Sequence, residues 1–108
     1  MLSNFEITPD ELNQQLKSSH KINILDVRSN GEFSFCSLSQ SKNIPLDQLS
    51  QELESLDRED YYVVLCHHGI RSLQACLLMH QKGFSNVKSL KGGIDAWSRC
   101  IDSSLPLY

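Results

Sequence analysis

Tyr61-Tyr62-Val63-Val64-Leu65-Cys66-His67-His68-Gly69-Ile70-Arg71-Ser72 joins an unbroken apolar run to a polar turn, and a second apolar segment follows from Leu73 to Met79. A short apolar run of this kind reads as a strand buried on both faces. Such a strand delivers Cys66 to the edge of a sheet. The spacing predicts that a helix begins five or six residues later, near Arg71 or Ser72. The turn between them then aims backbone N–H groups and a helix N-terminus at the sulfur, which is one way to make a thiolate.

The flanking sequence extends this strand–turn–helix unit in both directions. Downstream, Leu73, Cys76, Leu77 and His80 fall at i, i+3, i+4 and i+7, and Lys82-Gly83 supplies a cation in the last turn and a C′ glycine. Asn86-Val87-Lys88-Ser89-Leu90 predicts the last strand, and Gly92-Gly93 precedes a short helix through Ile94-Asp95-Ala96-Trp97. The tail from Asp102 to Tyr108 has no periodicity. Upstream, Leu46, Leu49, Leu53 and Leu56 share one helix face, followed by a solvated charged turn, Asp57-Arg58-Glu59-Asp60. Asn43-Ile44-Pro45-Leu46 predicts a short strand stopped by proline, and Ser29 to Asn43 a short helix with an irregular loop.

Further upstream, Ile22-Asn23-Ile24-Leu25-Asp26-Val27-Arg28 reads as an interior parallel strand. Asp26 and Arg28 lie on one face near its end, as a structural ion pair or a loop anchor. Thr8-Pro9-Asp10-Glu11 opens the first helix, with Thr8 as N-cap, Pro9 at the first helical position and Glu11 completing a capping box. Leu12 and Leu16 supply its buried stripe, and Ser18-Ser19-His20-Lys21 ends it. Strands alternating with helices give an α/β class with a mainly parallel central sheet flanked by helices, one domain over residues 1–108.

Composition narrows the function. With 108 residues, 40% hydrophobic and 21% charged, the chain is long enough to bury a core without staples. A net charge of −3 and a pI near 5.7 argue against a nucleic-acid partner. No apolar run reaches the length of a membrane span, and the sequence from Met1 to Glu6 shows no secretory signal, so a cytoplasmic protein is expected. Cys36, Cys66, Cys76 and Cys100 form no CxxC pair or zinc-type spacing and read as free thiols.

Only the thiolate is a strong nucleophile, and an ordinary cysteine, with a pKa of about 8.5, is mostly protonated at neutral pH. Three features after Cys66 favour the anion: loop N–H groups that curve into a nest with Gly69 free to take positive φ, a helix N-terminus, and a formal cation from Arg71 or a protonated His67 or His68. A packed core cysteine has no use for such neighbours. His67 and His68 read equally as solvent-facing residues. As metal ligands they lack a third partner placed by spacing, so no metal is expected. Cys36, Cys76 and Cys100 read as structural, and His80 as a core-edge residue.

The loop Cys66-His67-His68-Gly69-Ile70-Arg71-Ser72 between strand and helix resembles the active-site loop of single-domain rhodanese-like sulfurtransferases. Leu25-Asp26-Val27-Arg28, Asn43-Ile44-Pro45-Leu46 and Leu90-Lys91-Gly92-Gly93-Ile94-Asp95-Ala96-Trp97 resemble further elements of that family, in the same order. The resemblance implies that Cys66 attacks the sulfane sulfur of thiosulfate, a polysulfide or a persulfide. It then carries the sulfur as a persulfide and passes it to cyanide or a thiol, by two-step covalent catalysis. His67, His68, Gly69, Ile70, Arg71 and Ser72 would line the site, with Asp26 and Arg28 in support. No metal or organic cofactor is implied, and a protein can serve as sulfur donor or acceptor.

Two comparisons with the family's pattern refine this. Four residues separate Cys66 from Arg71, whereas phosphatases and arsenate reductases of the same fold resemble Cys-x5-Arg; the shorter cradle suits a single sulfur atom. Many relatives carry Gly-His-Ile-Pro-Gly-Ala where this chain has Cys36-Ser37-Leu38-Ser39-Gln40-Ser41, and Ser29-Asn30-Gly31 replaces the family's acidic and histidine residues, leaving Glu32. The loop lacks the extra Arg or Lys after the cysteine that some thiosulfate-using relatives show, so the resemblance leaves room for a protein persulfide or polysulfide as donor beside thiosulfate. The rival reading is a non-catalytic interaction or redox-sensing module. Oligomeric state, pathway and the natural donor are not written in the sequence.

Overall fold

Tyr62–Leu65 forms β4, the central strand of the computed structural model, which describes residues 2–18 and 21–108. Val63, Val64 and Leu65 have no exposed surface. On one side β4 pairs in parallel with β2 (Asn23–Asp26), with Asn23 opposite Tyr62 and Asp26 opposite Leu65. On the other it pairs in parallel with β5 (Val87–Leu90), with Tyr62 opposite Val87. Two-residue strands close the edges: β3 (Lys42–Asn43) beside β2 and β1 (Glu6–Ile7) beside β5. The described sheet thus runs β1-β5-β4-β2-β3, parallel throughout, as the α/β pattern predicted.

Alternation along the strands sorts the core into two layers. Leu25, Val27, Val64 and Cys66 face Leu49 of α3 (Leu46–Glu52) and Ala75, Cys76 and Met79 of α4 (Ile70–Gln81). Ile24, Val63 and Leu65 face Leu12 of α1 (Pro9–Leu16) and Ile94 and Trp97 of α5 (Gly93–Cys100). The remaining helix, α2 (Asn30–Phe35), buries no residue fully and lies beyond the carboxyl end of β2. β2 and β4 are neighbours, yet the connections that follow them lead in opposite directions across the sheet, to β3 and to β5. The crevice beyond their carboxyl ends is therefore a topological switch point, where ligands bind in α/β sheets.

Several local expectations need correction. The two-residue β1 escaped the pattern reading because a strand that short has no periodicity; it exists through its pairing with Ser89 and Leu90. Leu12 is buried completely, but Leu16 is 41% exposed, because the eight-residue α1 carries it past the core edge beside Ile22 and Trp97. The sheet-facing stripe of α4 is Ser72, Ala75, Cys76 and Met79 rather than Leu73, Cys76, Leu77 and His80. Small side chains at 72, 75 and 76 let the helix lie close to β4 and β5, and Leu73 and Leu77 are only half-buried. The helix expected from Leu46 to Leu56 ends as α at Glu52 and tightens into a 3-10 turn over Leu53–Ser55.

The predicted caps form as read. Thr8 and Glu11 close a reciprocal capping box on α1. At the end of α4, Gly83 takes φ 95° while its N–H bonds His80 O, and Phe84 N–H bonds Met79 O, the paired closure of a Schellman motif. Within the polar stretch after α1, Ser19 and His20 lie outside the described residues. All four cysteines are free thiols. Among the described residues no helix is long and apolar enough to cross a membrane.

Candidate active site

Cys66 follows β4 directly, and its side chain continues the α3/α4-facing side of that strand with only 1% of the residue exposed. Gly69 turns the chain with φ 103° and serves as N-cap of α4, so the helix starts at Ile70, one or two residues earlier than predicted. A glycine can enter a helix from the left-handed region without strain, which brings the first turn forward. A side chain at Gly69 would also press on the backbone N of Gly92.

Having no side chain, Gly69 cannot cap α4 itself; the cysteine does. Cys66 Sγ accepts the Gly69 N–H at 3.0 Å and the Ser72 N–H at 3.3 Å. Ser72 is the third residue of the helix, so the sulfur occupies the place normally taken by an Asp or Ser capping oxygen. Two donors and the positive end of α4 thus converge on one buried sulfur. Ser72 Oγ lies 3.4 Å from Sγ and 2.7 Å from Ser89 Oγ, with both serines fully buried. This hydroxyl pair can accept from a thiol or, with its protons reversed, donate to a thiolate.

The loop is clamped from behind by α5. Ile94 N–H donates to Cys66 O at 2.8 Å and Asp95 N–H to His67 O at 3.1 Å. A Cβ on Gly93 would collide with those same two carbonyl oxygens, so only glycine permits the approach. With its carbonyls held by α5, the loop turns its amides toward the sulfur.

Arg71 is pinned by Glu32 on α2, Nη1 to Oε1 at 2.7 Å and Nη2 to Oε2 at 3.1 Å. The Arg71 hydrogen bond holds the Glu32 carboxyl well below the usual carboxylate range, helped by Tyr108 and Ser29 against the opposing effect of burial. The Glu32 hydrogen bond likewise raises the pKa of Arg71, and the nearby Cys66 charge adds to it. Of the sequence-predicted cations, Arg71 is the one this geometry supplies. His67 is shifted the other way, because burial and the neighbouring His68 both lower its pKa, so at neutral pH it brings no formal charge.

His68 is largely exposed, with Nε2 4.0 Å from Asp95 Oδ1. The fold thereby provides the third ligand type that spacing did not place: donor atoms of His67, His68 and Asp95 lie within 4.8 Å of one another. Yet the two imidazoles are stacked, 3.8 Å apart at 30°, so their lone pairs run side by side instead of converging on a tetrahedral centre. Ile70 is 73% exposed at the mouth of the site. Open grooves run along both flanks, one of about 520 Å³ past His68, Gly69, Ile70 and Leu73 and one of about 540 Å³ past Asn30, Pro45 and Arg71.

Asp26 and Arg28 are not in contact with the sulfur. Both are completely buried as an ion pair, with Arg28 Nη2 2.6 Å from Asp26 Oδ2. Arg28 also donates to Cys36 O at 2.6 Å, Glu32 O at 3.3 Å and the Tyr108 hydroxyl at 2.9 Å. Burial works against its charge, but the hydrogen bonds to Asp26 and Tyr108 outweigh it and raise the pKa of Arg28. The pair anchors the segments around the site. Cys76 is an inert contrast to Cys66: burial pushes its thiol up to about 11.

Sequence reasoning overlooked Ser89, the Gly93–Asp95 backbone clamp and Tyr108, and noted Glu32 without its partner. The Ser29-x-x-Glu32 capping box was a usable signal for Glu32, and both halves of it form. Nothing marked Ser89 on its strand or Tyr108 in an aperiodic tail.

The rhodanese-like domain signature matches residues 8–100. The chain is 38% identical over 92 residues to the adenylyltransferase and sulfurtransferase MOCS3-2 of Zea mays; the match takes in 79% of this chain but 19% of the maize protein. It therefore spans about a fifth of the length of that relative. It is 28% identical to the putative sulfurtransferase YtwF of Bacillus subtilis, over 85% of this chain and 88% of the relative. A solved rhodanese-related protein from Thermoplasma volcanium superposes with a TM-score of 0.79 at 34% identity, covering 94% of each chain.

Proposed function

The chain belongs to the rhodanese-like domain family, and from that membership we propose that it is a sulfurtransferase working through a persulfide on Cys66. The observation that carries this reading is the sulfur held by two backbone amides at 3.0 and 3.3 Å inside a loop that places Arg71 five positions on. Such a cradle stabilises a thiolate before attack and a terminal persulfide anion after it. In the first step the Cys66 thiolate attacks the outer sulfur of the donor, the donor's sulfur bond breaks, and its electron pair leaves with the remainder, sulfite in the case of thiosulfate. In the second, cyanide or a thiolate attacks the outer sulfur of the persulfide and the Cys66 thiolate departs.

The oxyanion alternative fits less well. A tetrahedral phosphate or arsenate needs more amides than a loop with four intervening residues turns inward, and Arg71 has both terminal nitrogens committed to Glu32. A protein thiol or persulfide is the partner we favour, because Ile70 stands exposed beside the sulfur and the flanking grooves are open enough for a peptide strand. The cytoplasm, with its reduced thiols, is the compartment this chemistry suits.

The test is intact-mass analysis after incubation with thiosulfate, polysulfide or a protein persulfide, which should add about 32 Da, one sulfur atom, to Cys66. Cys66→Ser should take up none. No addition from any donor, with tight Cys66-independent binding to a partner protein, would instead favour the interaction-module reading.

A further inference from the structure

Tyr108 touches one end of the cysteine loop directly, at His67, and reaches the other through Glu32. Its ring lies flat on His67, the residue after the nucleophile, with centroids 3.8 Å apart and planes 2° from parallel. Its hydroxyl accepts from Arg28 Nη1 at 2.9 Å and donates to Glu32 Oε2 at 2.8 Å, the same oxygen that Arg71 Nη2 reaches. Phe35 meets the ring edge-on at 5.6 Å. The tail that carries Tyr108 is tied down on the way: Leu105 O accepts from Ser98 Oγ at 2.6 Å, and Pro106 O lies 3.9 Å from Cys36 Sγ. The result is a continuous chain of alternating charge and dipole, Asp26–Arg28–Tyr108–Glu32–Arg71, from the buried sheet to the loop.

We infer that Tyr108 is a positioning residue of the cysteine loop, its hydroxyl fixing the Glu32–Arg71 clamp and its ring fixing His67, so that the amide cradle around Cys66 is shaped before a donor arrives. A tyrosine suits both tasks. Its hydroxyl accepts from one partner while donating to another, and its ring offers a flat face for stacking. Hydrogen bonds to ionised groups are roughly twice as strong as neutral ones, and this hydroxyl makes two of them. Phenylalanine would keep the stack and leave Glu32 and Arg28 each one partner short. The inference rests on the sulfur-transfer reading only for its activity readout; the geometry of the loop is common to any use of Cys66.

The experiment is a double-mutant cycle of Tyr108→Phe and Glu32→Gln on the full chain, each variant first checked for a native circular-dichroism melt. Two rates are read: sulfur transfer from thiosulfate to cyanide, and alkylation of reduced Cys66 by iodoacetamide, followed by mass spectrometry. Tyr108→Phe is expected to slow Cys66 alkylation roughly three- to tenfold, because both hydrogen bonds of the hydroxyl are lost and part of that loss is passed on to the loop through the Glu32–Arg71 clamp. Adding it to Glu32→Gln should change the rate by less than about twofold, since the hydroxyl acts through that carboxylate. Tyr108→Leu, which removes the ring as well, should slow the reaction further and shift the His67 imidazole resonances. An unchanged alkylation rate in Tyr108→Phe, or independent multiplication of the two single effects, would overturn the inference. If the wild-type chain transfers no sulfur from any donor, the function proposed above falls while the alkylation cycle still decides the role of Tyr108.

Discussion

Glu32 meets Arg71 fork to fork, Oε1 2.7 Å from Nη1 and Oε2 3.1 Å from Nη2, and so ties the peripheral helix α2 to the first turn of α4. Fork-to-fork geometry fixes direction as well as distance, which a lysine in the same place would not. The clamp holds the loop's far end while α5 holds its near end.

The pair sets an acid limit. The Glu32 carboxyl titrates below its ordinary value of 4.5, so its contribution to stability is fully present above pH 4.5 and is lost as pH falls through the depressed folded value. Urea melts should therefore show Glu32→Gln less stable than the parent at pH 7, with the gap narrowing steadily below pH 4.5. A gap that widens on acidification would contradict the assignment.

Ser72 is expected to matter through its hydroxyl. Ser72→Ala removes the polar group 3.4 Å from the sulfur and leaves Ser89 without its buried partner. Loss of one net hydrogen bond predicts a fall of roughly three- to tenfold in the rate at which Cys66 takes up sulfur. Ser89→Ala, one step further away, should cost less. Single-turnover loading followed by mass spectrometry separates the two, and equal rates in all three proteins would remove the hydroxyl pair from the chemistry.

The ion pair at the end of β2 is a matter of stability. With both side chains wholly buried, Arg28→Met strands Asp26 without its charge partner and also frees the Cys36 carbonyl and the Tyr108 hydroxyl. Breaking a buried pair by removing one member typically costs about 3–5 kcal/mol, and chemical denaturation should show a loss of that order. Replacing Asp26 and Arg28 together by apolar residues should cost less than Arg28→Met alone.

Gln40 offers a gain. It sits at φ 63°, the sole non-glycine residue at positive φ among those described, at a position where the resemblance places a glycine. The left-handed conformation costs an L-residue roughly 1–2 kcal/mol, partly offset by the greater chain entropy that glycine loses on folding. Gln40→Gly should raise the melting temperature by a few degrees. Gln40→Val, β-branched and worse suited to positive φ, should lower it.

How much of this was legible in the sequence follows from the range of the forces involved. β4 was readable because a strand buried on both faces must be apolar along its length, β2 because Ile24, Leu25 and Val27 in and beside it are apolar, and the caps at Thr8 and Gly83 because capping is settled within four residues. The cysteine loop was readable for the same reason: strand, sulfur, glycine and helix are consecutive. The stripe on α4 was misjudged because leucines suggest burial, whereas the sheet here selects for small residues that allow close approach. β1 was missed because two residues carry no period, and its existence depends on a partner far along the chain. Glu32 and Tyr108 reach the site from 39 and 37 positions before and after Arg71, and local patterning carries no information at that range.

A helix capped by a cysteine sulfur has an order that tracks the chemical state of that atom. In most proteins the capping oxygen is chemically inert, so the first turn is as firm on one day as on the next. Here the acceptor for Gly69 N–H and Ser72 N–H is the Cys66 sulfur, the atom that the function proposed above would protonate, deprotonate or lengthen by a second sulfur. By reciprocity, whatever state of Cys66 the amides prefer is also the state in which α4 is held most tightly at its start. The beginning of α4 is in that sense a gauge, and the amide protons of Gly69 and Ser72 are its scale.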